Sequence, residues 1–261
     1  TKHLTICLVT ENVSSESLKN LRATFDEVRQ VEALDSKDQK NLSLLGRPEL
    51  GCTFTKIQVW NQLDLSKVVF MDADMLALKN IDELFEERDE LSAAPDVGWP
   101  DCFNSGLFVC KPNAKTYGDL LQMAKSNGSF DGGDQGLLNQ YFSDWARGDS
   151  SKRLPFGYNL TFSSSYSYLP AFKHFRNTIK VVHFIGANKP WTFHRMTDGR
   201  VCPRGSLAGE SLEFVQLWWR SFDSLKSVDS PTSRSAASQG QHYQANKHVL
   251  HTPLLASFQY L

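Results

Sequence analysis

An apolar run in this chain stops at two carboxylates one residue apart and then resumes: Val68-Val69-Phe70-Met71-Asp72-Ala73-Asp74-Met75-Leu76. A short apolar run of this kind reads as a buried strand of a parallel sheet, and ligands of open α/β sheets collect beyond the carboxyl ends of such strands. Residues two apart on an extended backbone share a face, so Asp72 and Asp74 are expected to aim two hard oxygen ligands at one point. That chemistry suits Mg²⁺ or Mn²⁺ carrying a diphosphate. The same pair would also do no more than end a strand in a polar turn, and the rest of the chain has to separate the two readings.

Three other stretches carry chemistry. In Lys180-Val181-Val182-His183-Phe184-Ile185-Gly186-Ala187-Asn188-Lys189-Pro190-Trp191 a single histidine sits inside an apolar strand, followed by a Gly turn and a lysine. It is either a hydrogen-bonded core residue or a third metal ligand, and imidazole suits Mn²⁺ better than Mg²⁺. In Gly128-Ser129-Phe130-Asp131-Gly132-Gly133-Asp134-Gln135-Gly136, Asp131 and Asp134 flank paired glycines ahead of an apolar helix. A helix amino end offers free N–H groups to an anion or a sugar oxygen; the two aspartates would equally serve as caps. Asn104-Ser105-Gly106, at the entry to another strand, offers an amide, a hydroxyl and close backbone approach, as a sugar surface or as a plain turn. Arg47 and Lys56 are placed to reach phosphates or to be ordinary solvated cations.

The elements that must position these residues alternate. Leu4 to Thr10 reads as a strand, Ser14 to Phe25 as a helix with Leu18, Leu21 and Phe25 at helical spacing, and Val28 to Val31 as the next strand. Strand, helix, strand at this spacing is a βαβ unit, which makes a parallel sheet the default. Asp35 to Asn41 is polar, and Arg47-Pro48-Glu49-Leu50-Gly51 reads as a turn before a helix over Phe54 to Leu63. Ile81 to Phe85 reads as a helical turn, Leu91 to Asp96 and Trp99 to Cys110 as strands, and Ala114 to Ser126 and 134 to 142 as helices.

The chain has 261 residues, 41% of them hydrophobic, with 17 Phe and 6 Trp, enough for one large α/β domain. A formal net charge of −1 predicts no attraction to nucleic acid or to an acidic membrane surface. Five scattered cysteines read as reduced thiols rather than a disulfide framework. The sequence has no apolar leader at Thr1 and no run long enough to span a bilayer, so a cytoplasmic protein is expected, and the Asn-x-Ser/Thr matches at Asn12, Asn41, Asn127 and Asn159 are read as chance.

Taken together, these motifs resemble the glycogenins, retaining glucosyltransferases of glycosyltransferase family 8. The matching residues are Arg47-Pro48-Glu49-Leu50-Gly51, Phe70-Met71-Asp72-Ala73-Asp74, Asn104-Ser105-Gly106, Phe130 to Gly136, Leu154-Pro155-Phe156, Tyr166 to Phe172, His183-Phe184-Ile185-Gly186 and Lys189-Pro190-Trp191, in family order from about Ala33 to Trp219. The resemblance implies a Rossmann-like GT-A fold, with a mixed, mostly parallel sheet flanked by helices, over residues 1–226. It implies transfer of glucose from UDP-glucose to a tyrosine of the protein and extension of an α-1,4 glucan primer for glycogen. Asp72, Asp74 and His183 would bind Mn²⁺, with Mg²⁺ the alternative; Arg47, Lys56, Gly186 and Lys189 would contact phosphates. Asn104, Asp131 and Gln135 would hold glucose hydroxyls, and Ala73, Ser105 and Gly106 complete the donor site. Asp134 would sit at the anomeric carbon, Tyr166 would be the acceptor, and Thr53 would support the acceptor region. A homodimer is implied, and glycogen synthase is a partner in the family.

Two departures from the family stand beside this reading. Family members begin with a further strand and helix that cradle uracil and ribose, so the sheet is expected to lack a strand at its switch point, leaving part of Leu4 to Val9 without a partner. Beyond Trp218-Trp219, residues 227–261 are polar, Ser/Gln/His-rich and aperiodic, and are expected to be a disordered tail without the family's synthase-recruiting segment. A non-catalytic subunit, acting as acceptor or regulatory partner, is therefore the alternative. A metal-dependent hydrolase is weaker: the haloacid dehalogenase pattern wants Thr or Val two residues after the second Asp, where this chain has Leu76.

Overall fold

The computed structural model describes residues 1–45, 48–88, 90–161, 168–203, 210–228 and 254–257. Strand β1 (Thr5–Val9), helix α1 (Ser15–Thr24) and strand β2 (Glu27–Gln30) form the expected βαβ unit, the strands parallel with Ile6 opposite Glu27. The Ser14 hydroxyl caps α1 by accepting from the Ser17 N–H. Helix α2 (Gln39–Leu45) occupies the end of the polar stretch, where Asp38 accepts the Asn41 N–H in the manner of an N-cap and Leu42 is fully buried. A 3₁₀ helix spans Pro48–Asn61, so Pro48 to Gly51 opens a helix rather than a free turn.

The main sheet has the order β2, β1, β9, β3, β6, β5, with β3 at Val68–Asp72, β5 at Ser92–Pro95, β6 at Phe103–Cys110 and β9 at Leu254–Ser257. The pairs β1–β2, β1–β9 and β3–β9 are parallel, and β3–β6 and β5–β6 antiparallel. This is the mixed, mostly parallel α/β sheet that the sequence implies. A second sheet, not foreseen, joins β4 (Met75–Ala77), β8 (Val181–His183) and β7 (Leu160–Thr161).

Alternation along β3 fills both faces of the main sheet. Val68 and Phe70 face the 3₁₀ helix, α4 (Ala114–Ser126) and α5 (Asp134–Tyr141), in a core with Trp60, Phe108, Leu120 and Leu137. Val69 and Met71 face the other way, toward Leu107, Val109 and Val181. Phe70 and Phe108 stack at 4.8 Å between ring centroids, and Trp60 stacks on Phe108 at 5.2 Å. A third core lies between the second sheet, helix α6 (Leu169–Phe175) and helix α7 (Glu210–Val228), centred on Val182, Phe184, Phe172 and Phe214. Among the described residues no helix is long and apolar enough to cross a membrane, and the five cysteines are free thiols.

Two expectations change. Strand β1 is not left without a partner: β9 pairs with it from Thr5 opposite Leu254 to Leu8 opposite Ser257, and pairs with β3 from Val69 opposite Leu254 to Asp72 opposite Ser257. The expectation of a disordered tail therefore does not hold at Leu254–Ser257; residues 229–253 and 258–261 lie outside the described set. Four residues carry too little periodicity to announce a strand. What makes them one is the row of backbone groups on either side that would otherwise be unpaired.

A proline in a central strand removes a ladder hydrogen bond and clashes with its neighbours. Leu255→Pro leaves a backbone acceptor in the sheet unsatisfied and is expected to cost about 1–3 kcal/mol, read as a lower urea midpoint; an unchanged midpoint would mean that the segment does not pair between β1 and β3.

Candidate active site

The chain leaves the main sheet at Asp72, turns through Ala73 and Asp74, and enters the second sheet at Met75, which lies opposite His183. Asp72 and Asp74 therefore meet through a turn between two sheets, not along one extended strand. Asp72 continues the Val68–Phe70 face of β3, which points it at the 3₁₀ helix and α5. Asp74 is held beside β8 by the Phe184 N–H, which donates to its carbonyl at 2.8 Å. One ligand atom each from Asp72, Asp74 and His183 lie within 4.8 Å of one another. Two carboxylate oxygens and an imidazole nitrogen at that spacing fit a divalent cation. His183 Nε2 is 3.2 Å from Asp74 Oδ1, and the ring is buried.

Lys56 is not a surface cation. It is 7% exposed, and its ammonium lies 2.6 Å from Asp134 Oδ2 and 3.1 Å from the Asp72 carboxylate, and donates to the Ser105 carbonyl at 3.1 Å. Burial works against its charge, but Asp134 and Asp72 more than offset that and hold its pKa above the ordinary lysine value. Burial pushes Asp72 up to about 6, with Lys56 opposing and Asp74 and Asp134 adding to the rise. Burial also acts on Asp74, yet His183 and the ion-paired Lys189 ammonium hold that carboxyl well below the usual range. Lys189 donates to the Phe184 carbonyl at 2.8 Å as well, so the lysine after the Gly turn reaches back to the cation ligands.

Asn104, Ser105 and Gly106 lie inside β6 rather than in a turn before it. Ala93 of β5 pairs with Phe108 and Pro95 with Phe103, so two steps along β5 match five along β6, and the excess falls on these residues. At this bulge Ser105 meets α5, while the Asn104 side chain bonds Asp96 and Asn159. The Ser105 hydroxyl donates to Asp134 Oδ2 at 2.7 Å, and its N–H to Gln135 Oε1 at 3.2 Å. Gly106 has to be glycine here: an added Cβ would stand 2.5 Å from His183 Cε1 and 2.7 Å from Nδ1. Asp131 is consumed locally, accepting from the Ser129 hydroxyl at 2.7 Å and the Gly133 N–H at 2.8 Å, and burial raises its pKa. That supports the capping role more than a free ligand. Asp134 is 6% exposed, and its N–H donates to Thr53 Oγ1 at 3.1 Å.

The site thus unites Lys56, Asp72, Asp74, Ser105, Asp134, Gln135, His183 and Lys189. Gly186, at φ +83°, makes the turn before Lys189 with open space around it. Arg47 and Tyr166 lie outside the described residues, whereas Tyr168 is 68% exposed. Two contributors have no signal in the sequence. Asp96 accepts from the Asn104 amide at 2.9 Å and the Gln135 amide at 3.1 Å, although in sequence it only follows a proline. Asn159, conspicuous in sequence only as a glycosylation match, is fully buried between Asn104 and His183.

Fold and site together define an α/β protein with a carboxylate–imidazole group that fits a cation at the carboxyl end of the inner strand β3, and a buried Asp–Lys network beside it. The chain belongs to glycosyl transferase family 8, whose sequence model matches residues 1–195. Among curated proteins it is similar to glycogenin-1 of Mus musculus (54% identical over 219 residues, 83% of this chain and 66% of that one). Glycogenin-1 of Homo sapiens is 53% identical over 83% of this chain and 62% of its own length, and human glycogenin-2 is 47% identical over 88% and 48%. The chain spans less than two thirds of the length of these relatives. A solved glycosyltransferase, GlyE of Streptococcus pneumoniae TIGR4, is 17% identical, covering 86% of this chain and 63% of that one, with a TM-score of 0.48, too slight a likeness to bear on the fold.

A cation competes with protons for its carboxylates. Because Asp72 must be ionised to bind and titrates at about 6, Mn²⁺ affinity is expected to rise with pH up to that value, by about tenfold per unit, and to flatten above it. Isothermal titration between pH 5 and 8 measures this; an affinity flat down to pH 5 would show that Asp72 takes up no proton in that range and that burial does not raise it.

Proposed function

We propose that the chain is a glycogenin-like, self-glucosylating transferase. It moves glucose from UDP-glucose to one of its own tyrosines with retention at the anomeric carbon, and then extends an α-1,4 glucan that primes glycogen synthesis. The observation that carries this reading is the short bridge from the cation ligands to Asp134. Lys56 spans Asp72 and Asp134 at 3.1 and 2.6 Å, so a diphosphate held at Asp72 and Asp74 sets its attached sugar beside the Asp134 carboxylate. The likeness to glycogenins supports glucose as the sugar and tyrosine as the acceptor.

Asp72, Asp74 and His183 would hold Mn²⁺, with Mg²⁺ the alternative; when bound, such a cation neutralises the diphosphate and stabilises UDP as it leaves. The chain's own groups supply the rest. Lys189, Gly186 and Arg47 are assigned to the phosphates, and Lys56 orients Asp134 through its ion pair. Ala73, Asn104, Ser105, Gly106 and Gln135 are assigned to the sugar and ribose, and Asp131 holds the loop that carries Asp134 and Gln135. Asp134 acts on the anomeric carbon, either by forming a glucosyl-enzyme or by stabilising positive charge while the acceptor enters on the leaving-group face. In both routes the bond from the anomeric carbon to phosphate breaks with its electron pair going to UDP. The acceptor phenol oxygen gains the bond to the anomeric carbon, and its proton goes to the departing diphosphate or to water. Tyr166 is the acceptor in this proposal, residues 1–226 the catalytic domain, and the cytoplasm its compartment. Homodimer formation brings one subunit's tyrosine to another's site, and glycogen synthase takes over the primer.

Intact mass before and after incubation with UDP-glucose and Mn²⁺ tests the reading. A ladder of hexose additions is expected on the parent and none on Tyr166→Phe; a parent that stays unlabelled alone, but is labelled at Tyr166 by a full-length glycogenin, is a non-catalytic subunit. Asp134→Asn, which keeps the shape and removes the charge, is expected to slow the ladder by about 100-fold or more. A rate within a few-fold of the parent would take Asp134 out of the chemistry.

A further inference from the structure

Four side chains form a continuous hydrogen-bonded path from Asp96 to His183. Asn104 Nδ2 donates to Asp96 Oδ2 at 2.9 Å, Asn159 Nδ2 donates to Asn104 Oδ1 at 2.8 Å, and Asn159 Oδ1 is 3.0 Å from His183 Nδ1. Two ends of this path have only one polarity. An ionised carboxylate can only accept and a backbone N–H can only donate. Asp96 therefore forces the Asn104 NH₂ toward itself, and the Gly106 N–H, 3.0 Å from Asn104 Oδ1, forces the oxygen the other way. With that oxygen fixed as an acceptor, Asn159 must present its NH₂ to Asn104 and its Oδ1 to the histidine. His183 Nδ1 must then carry the proton, which leaves Nε2 as the nitrogen turned toward Asp74 and the cation position.

We infer that Asn159 is a positioning residue: it fixes the Nδ1–H tautomer of His183, and so makes Nε2 the metal-binding nitrogen, under a polarity set by Asp96 through Asn104. The fold supports this placement. A 3₁₀ turn at Phe156–Tyr158 delivers Asn159 to the start of β7, which runs beside β8 with Thr161 opposite His183. Asn159 and His183 are both buried, so no water competes for the bond, and an imidazole presented by a fixed partner on its other nitrogen binds metal more tightly. The burial of Asn159 also closes its glycosylation motif in the folded chain. The same path couples the two halves of the proposed site, since Asn104 belongs to the sugar side and His183 to the cation side. The inference rests on a divalent cation at Asp72, Asp74 and His183, and not on what is transferred.

The test is Mn²⁺ affinity of the full chain without nucleotide, by titration calorimetry, for the parent, Asn159→Leu and Asn159→Asp. Asn159→Leu keeps the volume and removes both hydrogen bonds, and is expected to weaken binding about 10- to 100-fold. Asn159→Asp keeps an acceptor for Nδ1–H and is expected to stay within about threefold of the parent. Equal affinity for the parent and the Leu variant, or equal loss in both variants, would overturn the inference. If Asn159→Leu does not fold, as read by circular dichroism, the parent still decides: ¹⁵N histidine spectra at pH 8, assigned with His183→Gln, must show the Nδ1–H form, and an Nε2–H form refutes it. Selective loss of Mn²⁺ affinity in a chain that transfers no glucose would leave the inference standing and remove the transferase reading. Active transfer with unchanged affinity in the Leu variant would do the reverse.

Discussion

The site depends on one buried cation. Asp72, Asp74 and Asp134 converge where the main sheet, the second sheet and α5 meet, and the Lys56 ammonium stands between two of them. Removing a charge from water costs on the order of several kcal/mol per ion, and like charges about 4 Å apart repel by a comparable amount at an effective dielectric near 20. Carboxylates gathered there without compensation would take up protons instead of remaining ready for a cation. Lys56 offsets the repulsion on one side, Lys189 and His183 on the other. The division shows in the two metal-facing aspartates: burial leaves Asp72 raised to about 6, while Asp74, beside His183 and the Lys189 ammonium, is held low.

The scaffold serves this arrangement by bringing together segments far apart in sequence. Lys56 comes from a 3₁₀ helix, Asp72 from the end of β3, Ser105 from a bulge in β6, Asp134 from the first turn of α5 and His183 from a strand of the other sheet. None of these elements holds the site alone. The bulge is the least replaceable, because an unbroken β6 would keep Ser105 and Leu107 on one face, away from Asp134. The packing of Gly106 against His183 ties that bulge to the cation ligands.

Much of this was legible in the sequence. The apolar run into Asp72-x-Asp74, the Asp131 to Gln135 loop and the lone His183 were identifiable because few structures want those residue types at those spacings. The structure brings Asp72, Asp74 and His183 together and places Asp134 beside them. Lys56, read as a phosphate contact or a solvated cation, is buried between Asp72 and Asp134, and the bonds of Asp131 are spent within its own loop. Helix α2 was hidden in a polar stretch, since Leu42 is the one buried residue of the helix among those whose side chains are described. The strand β9 was hidden because four residues have no usable period.

What the sequence determined by itself was the list of chemical groups, the βαβ start and the alternation that gives β3 two buried faces, since these rest on local spacing. What only the tertiary structure decided was which of those groups meet. Lys56 became a buried counter-ion, Asp96 and Asn159 acquired roles that their neighbours in sequence do not announce, and Leu254–Ser257 became a central strand. The deciding energy comes largely from partners distant in the chain, such as Asp134 for Lys56, Gln135 for Asp96 and His183 for Asn159, through desolvation, hydrogen-bond polarity or backbone pairing. No local window of sequence contains those partners.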